Sequence, residues 1–123
     1  MVPQPQSVIQ LTRQTMPIFL SIFGDAVEDG TFRGRRKAIR RQTRMPIEFL
    51  CMYSPTDAEM HQGACVDISE DGIGFRSPVE LNVGQTVQIF LSGEAQEYSV
   101  GARIVHCTPK GAYYRVGARF VWD

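Results

Sequence analysis

The sequence predicts an all-β core, a six-stranded antiparallel β-barrel with short helical additions that include an N-terminal extension. Three observations carry this expectation. From Pro46 onward apolar and polar residues tend to alternate, the period of strands that bury one face. The alternating runs are short and are separated by turns rich in Gly, Asn, Asp and Pro, and a set of such strands escapes open edges by closing into a barrel. Finally, 123 residues of which 43% are hydrophobic can fill one core without help from metal or disulfides.

The chain opens with Met1-Val2-Pro3-Gln4-Pro5-Gln6-Ser7, expected to be flexible. Ser7 is placed to cap a short helix through about Thr15, which Pro17 interrupts. The apolar run Ile18-Phe19-Leu20-Ser21-Ile22-Phe23 ends at Gly24-Asp25. It is too short to span a bilayer, which needs roughly 20 residues. An exposed run this apolar invites aggregation, so packing on the barrel is expected rather than an exposed partner-binding helix. No basic region precedes Arg13 and no small-residue cleavage site follows, which argues against a signal peptide. Residues 1–34 thus read as an N-terminal extension, partly helical or flexible, and residues 35–123 as the domain.

In the first strand Ile47, Phe49, Cys51 and Tyr53 share one face, while Leu50 and Met52 make the other face apolar as well. This predicts burial on both sides or an interface. Strands follow at about residues 63–68 and 72–76, joined by a tight turn at residues 69–71. Asn82-Val83-Gly84-Gln85 is a turn before a strand at 86–91, and Pro109-Lys110-Gly111 joins long strands at 98–106 and 112–122.

Formal net charge is zero, yet seven of the thirteen basic residues, Arg33, Arg35, Arg36, Lys37, Arg40, Arg41 and Arg44, fall in one stretch without an acid. Cys51, Cys65 and Cys107 are an odd set without CxxC spacing, as expected for reduced thiols in a cytoplasmic protein. A zinc site would require His61 and Cys65 to meet His106 and Cys107. The latter two are adjacent and point to opposite faces of a strand, so no metal is expected. No phosphate loop, paired catalytic carboxylates or nucleophile elbow is present, so neither catalytic residues nor an enzyme is expected.

Two motifs stand out. Arg40 and Arg44 have RxxxR spacing, and 23 residues beyond Arg44 the chain reads Asp67-Ile68-Ser69-Glu70-Asp71-Gly72, a DxSxxG pattern. Residues four apart point the same way on a helix or a strand, so two guanidinium forks converge in either conformation. Asp67 and Ser69 fall on one side of a strand, and Gly72 permits a positive φ or a close backbone approach where that strand turns. Taken separately, a basic run is ordinarily a solvated face, and Asp, Ser and Gly are ordinary turn residues.

Together, in this order and followed by Val116-Gly117-Ala118-Arg119-Phe120, the motifs resemble the signatures of the PilZ domain, a bacterial receptor for cyclic di-GMP. The resemblance covers about residues 35–122. It implies a six-stranded barrel with cyclic di-GMP as ligand. Arg40 and Arg44, with Arg41 as a further fork, would bind phosphate oxygens and the guanine O6/N7 edge. Asp67, supported by Ser69, would accept from guanine N1–H and N2–H₂. Arg36 and Arg40 also satisfy RxxxR, but Met45-Pro46-Ile47 begins the strand directly after Arg44, as in the family's pattern. In the family the residue before the first motif arginine bears on whether one ligand or an intercalated pair is bound; Ile39 favours one, and Arg36 is placed to reverse that.

On this picture the basic stretch is a mobile arm beside a rigid barrel mouth, lying outside any ladder until a dianionic ligand draws the two together. The output would be a changed surface for an unidentified downstream protein, with no membrane span and no specific nucleic acid. Two rival readings use the same residues. One is a PilZ-fold protein-interaction adaptor that does not bind nucleotide, against which the intact motifs speak. The other is a nucleic-acid-binding domain using the basic arm, which has only Phe32 nearby for stacking and a neutral chain behind it.

Overall fold

Among the described residues, eight strands and one helix follow in the order β1 (Val8–Gln10), α1 (Met16–Phe23), β2 (Arg41–Gln42), β3 (Pro46–Ser54), β4 (Asp57–Ile68), β5 (Gly72–Ser77), β6 (Thr86–Ser92), β7 (Glu97–Pro109) and β8 (Tyr114–Phe120). The structure is a computed structural model that describes residues 8–23, 41–42, 45–92 and 96–122. Six strands pair in the antiparallel order β7-β6-β3-β4-β5-β8, and β8 returns to β7 to close the barrel. The expected all-β core is the observed one.

Alternation defines the barrel interior. Ile47, Phe49 and Cys51 of β3, Val87, Ile89 and Leu91 of β6, Val100, Ala102 and Ile104 of β7, and Val116, Ala118 and Phe120 of β8 are all buried. Phe49 and Phe75 meet in the centre with ring centroids 5.1 Å apart. Gly84 (φ +91°) and Gly111 (φ +80°) supply the left-handed residues of the two expected turns.

The N-terminal segment departs from expectation. Val8–Gln10 is a strand rather than part of a helix, and it pairs in parallel with β7 through Ile9 opposite Tyr98. The Gln10 carboxamide oxygen accepts from Ser99 Oγ at 2.9 Å and lies 3.3 Å from Gln88 Nε2. β-Branched Val8 and Ile9 suit the edge that β7 offers there, and pairing wins over local helix capping. The cap falls on Thr12 instead. Its Oγ1 accepts from Thr15 N, while Thr15 Oγ1 accepts from Thr12 N at 2.8 Å, a reciprocal capping arrangement. Pro17 sits in the first turn of α1, where a missing N–H is tolerated. Met16, Phe19 and Leu20, spaced i, i+3, i+4, are buried, and Phe19 lies edge-on to Tyr98 at 5.0 Å. The apolar run therefore packs on the barrel as expected, leaving Ile18 61% exposed.

β4 is longer than its alternation suggests, starting at Asp57 instead of near Gly63. Among the described residues its first half pairs only with β3, because β5 joins from Ala64 onward. The residues 57–60 are exposed and so carry no burial signal to read. Tyr53, expected on the inner face, is exposed for the same reason: β6 accompanies β3 only as far as Cys51.

Candidate functional site

The first motif segment meets the second through backbone. β3 accompanies one edge of β4 up to Ala64, and beyond it β2 pairs antiparallel with β4, Arg41 opposite Ile68 and Gln42 opposite Asp67. Arg41 and Gln42 are thus inside a ladder, correcting the expectation of an arm wholly outside one. Arg36, Arg40 and Arg44 lie outside the described residues, as does the side chain of Arg41.

Asp67 reaches the outer wall because of an irregularity. Cys65 is buried opposite Phe75, and plain alternation would aim Asp67 inward as well. The register slips at Val66, so that Asp67 stands opposite Gly74 and Ile68 opposite Ile73. The extra residue turns the carboxylate outward and returns Ile68 to the core. A second slip, at Val105, places His106 opposite Gly117. Since Gly74 faces Gly117, Asp67, Gly74, Gly117 and His106 form one cross-strand row over β4, β5, β8 and β7, with two bare glycines at its middle. A Cβ on Gly117 would run into the His106 imidazole.

Arg115, two residues before Gly117, reaches back across this floor. Its Nη2 lies 3.2 Å from Asp67 Oδ2, and its Nη1 donates to Val116 O at 3.2 Å. Both side chains of the ion pair are partly exposed, 26% for Arg115 and 17% for Asp67. Sequence reading does not place Arg115, Gly74, Gly117 or His106 beside Asp67. The last two lie in the strand and hairpin already legible, but the two register slips that bring them into line leave no mark in the residue pattern.

Ser69 and Gly72 build the turn below Asp67. Ser69 Oγ accepts from Asp71 N at 3.2 Å and Gly72 N at 3.3 Å, and Ser69 N donates to Gly72 O at 2.9 Å. Asp71 O in turn accepts from Phe120 N at 2.8 Å, tying the turn to β8. Of the two reasons for glycine at position 72, the close approach is the operative one. Its φ is not positive, and a Cβ there would collide with the Ala118 carbonyl oxygen. Among the described residues no three His, Cys, Asp or Glu side chains cluster as metal ligands, and no helix is long and apolar enough to cross a membrane.

Directly beneath the site, burial pushes the Cys65 thiol up to about 12, the Asp67 carboxylate adding to the rise and Arg115 opposing it. The unfolded thiol titrates near its ordinary value of 9.0. Between about pH 9 and 12 the unfolded state therefore holds fewer protons, and stability falls as pH rises. The expected slope is about 1.4 kcal/mol per pH unit. Urea unfolding across this range should show a steeper alkaline loss in the wild type than in Cys65→Ala; equal slopes would mean that the thiol is not desolvated.

The model of the PilZ domain family matches residues 35–123. The chain belongs to the PilZ domain family. Solved structures agree on the fold. The PilZ domain with c-di-GMP of YcgR from Escherichia coli superposes with a TM-score of 0.57 at 17% identity, covering 71% of this chain and 78% of that one. YcgR in complex with c-di-GMP, also from Escherichia coli, gives 0.54 at 19% identity over 71% of this chain and 38% of that one. The K. pneumonia MrkH-c-di-GMP complex gives 0.53 at 17% identity over 74% and 45%. This PilZ chain thus matches less than half the length of these two larger relatives. A comparison with curated proteins finds no match.

Proposed function

We propose that this PilZ domain is a cytoplasmic receptor for cyclic di-GMP, and that binding changes its conformation and so signals to a partner protein. The observation that carries the reading is the pairing of Gln42 with Asp67: Arg41 and Gln42, which stand between Arg40 and Arg44 in the sequence, pair with the strand end that presents the carboxylate. A ligand with two phosphates and two guanines matches that combination. Guanidinium forks serve phosphate oxygens and O6/N7, and a carboxylate serves N1–H and N2–H₂. The c-di-GMP complexes among the solved relatives support the same choice of ligand. In this reading residues 35–123 are the receptor unit and 1–34 an extension, whose described part packs on the barrel.

The switch follows from charge. Seven clustered cations repel one another, and a dianion bound between the arginines and Asp67 relieves that repulsion while fixing the segment against β4. Its two-residue pairing with β4 is short enough to be remodelled when ligand arrives. The altered surface is the signal. This function needs no catalytic group.

Calorimetric titration with cyclic di-GMP, GTP and an oligonucleotide at two salt concentrations tests the reading. Saturable cyclic di-GMP binding that tolerates salt supports it, whereas oligonucleotide binding that falls steeply with salt supports the nucleic-acid alternative. Arg40→Ala and Arg44→Ala should each weaken cyclic di-GMP by about 1.5–3 kcal/mol, the range of charge-assisted hydrogen bonds, with unfolding temperature unchanged. Wild-type affinity in both variants would remove these two arginines from the site and direct attention to Arg36 and Arg41.

A further inference from the structure

Only a bare strand lets a side chain of β8 cross β5 to reach β4. Gly74 provides that passage: a Cβ there would stand 2.5 Å from Arg115 Nη1, 2.8 Å from Nη2 and 2.5 Å from Asp67 Oδ1. The ion pair thus lies in the space a side chain would occupy. Arg76, directly opposite Arg115, is another cation within the same part of the wall, but its guanidinium sits over the Tyr113 ring, 4.8 Å from the centroid. That contact draws one of two directly opposed like charges aside, and of these two arginines Arg115 is the one that engages Asp67.

We propose that Arg115 is the positioning residue for Asp67, fixing the plane of the carboxylate so that it meets the guanine edge. The inference rests on the receptor reading above and adds to it a specificity element outside both signature motifs. Arg115 is held at two acceptors, Asp67 Oδ2 and the backbone oxygen of Val116, both at 3.2 Å. Because the guanidinium is planar and rigid, fixing two of its donors fixes its plane and restrains the carboxylate bonded to it. An ionised carboxylate has about four acceptor positions, so one donor from Arg115 is compatible with two from guanine. A partly exposed pair of this kind adds little to stability; orientation is what it contributes.

The test measures binding of cyclic di-GMP and cyclic di-AMP to the full chain, since adenine lacks the N1–H and N2–H₂ pair. Arg115→Ala is expected to weaken cyclic di-GMP roughly tenfold, the scale of one charge-assisted hydrogen bond. It should weaken cyclic di-AMP much less and leave thermal unfolding unchanged. Arg115→Lys, which keeps charge without the planar fork, should recover only part of the loss. Gly74→Ala should reproduce the Arg115→Ala phenotype by wedging the pair apart, which provides a second route should Arg115→Ala fold poorly. In the Asp67→Ala background, Arg115→Ala should cost nothing further. Tighter binding in Arg115→Ala would make Arg115 a competitor for the carboxylate, and additive losses in the double variant would make it a direct ligand contact. Either result, or unchanged binding, overturns the positioning role while the receptor reading stands. Absence of cyclic di-GMP binding by the wild type overturns both.

Discussion

Asp67→Ala is expected to weaken cyclic di-GMP roughly a hundredfold and to remove most of the preference over cyclic di-AMP. A carboxylate that accepts from two donors on one base edge contributes two charge-assisted hydrogen bonds, and losing them costs about 3 kcal/mol, or two decades in affinity. Cyclic di-AMP lacks those donors, so its affinity should fall far less. Discrimination by a site built to pair a polar edge depends on the groups left unpaired with the wrong ligand, and these vanish with the carboxylate. The fold should tolerate the change, since Asp67 lies on the outer wall and Arg115, 26% exposed in the pair, remains accessible to water. Titration of both dinucleotides against wild type and variant gives the ratio directly. An unchanged ratio would leave Asp67 a structural residue of β4 and shift base selection to the arginine segment.

The barrel was legible because burial on one face writes a period of two into β3, β6, β7 and β8. Its turns were legible because Gly84 and Gly111 stand where only glycine enters the left-handed region easily. Where the chain faces water the signal lapses, as in residues 57–60 of β4. Local pattern also failed at Val8 and Ile9, whose conformation is decided by an edge of β7 nearly ninety residues away. The site shows the same division. DxSxxG marks a strand-to-turn sequence, and Ser69 and Gly72 perform that local job. Nothing local reveals that Val66 is an extra residue turning Asp67 out of the core, or that Arg115, 48 residues on, crosses a glycine to meet it. Those contacts depend on how strands are laid side by side, and alternation alone does not encode register against a partner.

The inner packing carries a second expected result, with the largest effect on stability. Phe49 is fully buried, its ring 5.1 Å from Phe75 and 5.5 Å from His61. Truncating such a side chain removes its burial and leaves a cavity that closely packed neighbours fill only in part, so Phe49→Ala should cost about 3–5 kcal/mol. For a domain of this size that corresponds to a fall of roughly 10–20 °C in Tm. Phe75 adjoins Gly74 on β5 and stands opposite Cys65 on β4, so the lost contact sits under the strand pair that presents Asp67. Yet binding should report a different quantity from stability. While the variant remains folded, Asp67, Arg115 and Gly74 keep their places on the outer wall, and affinity per folded molecule should stay within a factor of about three, less than the tenfold that 1.4 kcal/mol represents. Urea unfolding together with cyclic di-GMP titration well below the transition separates the two. Affinity that falls in step with stability would show that the wall is not an independent platform, and that packing around Phe49 and Phe75 sets the geometry of the site.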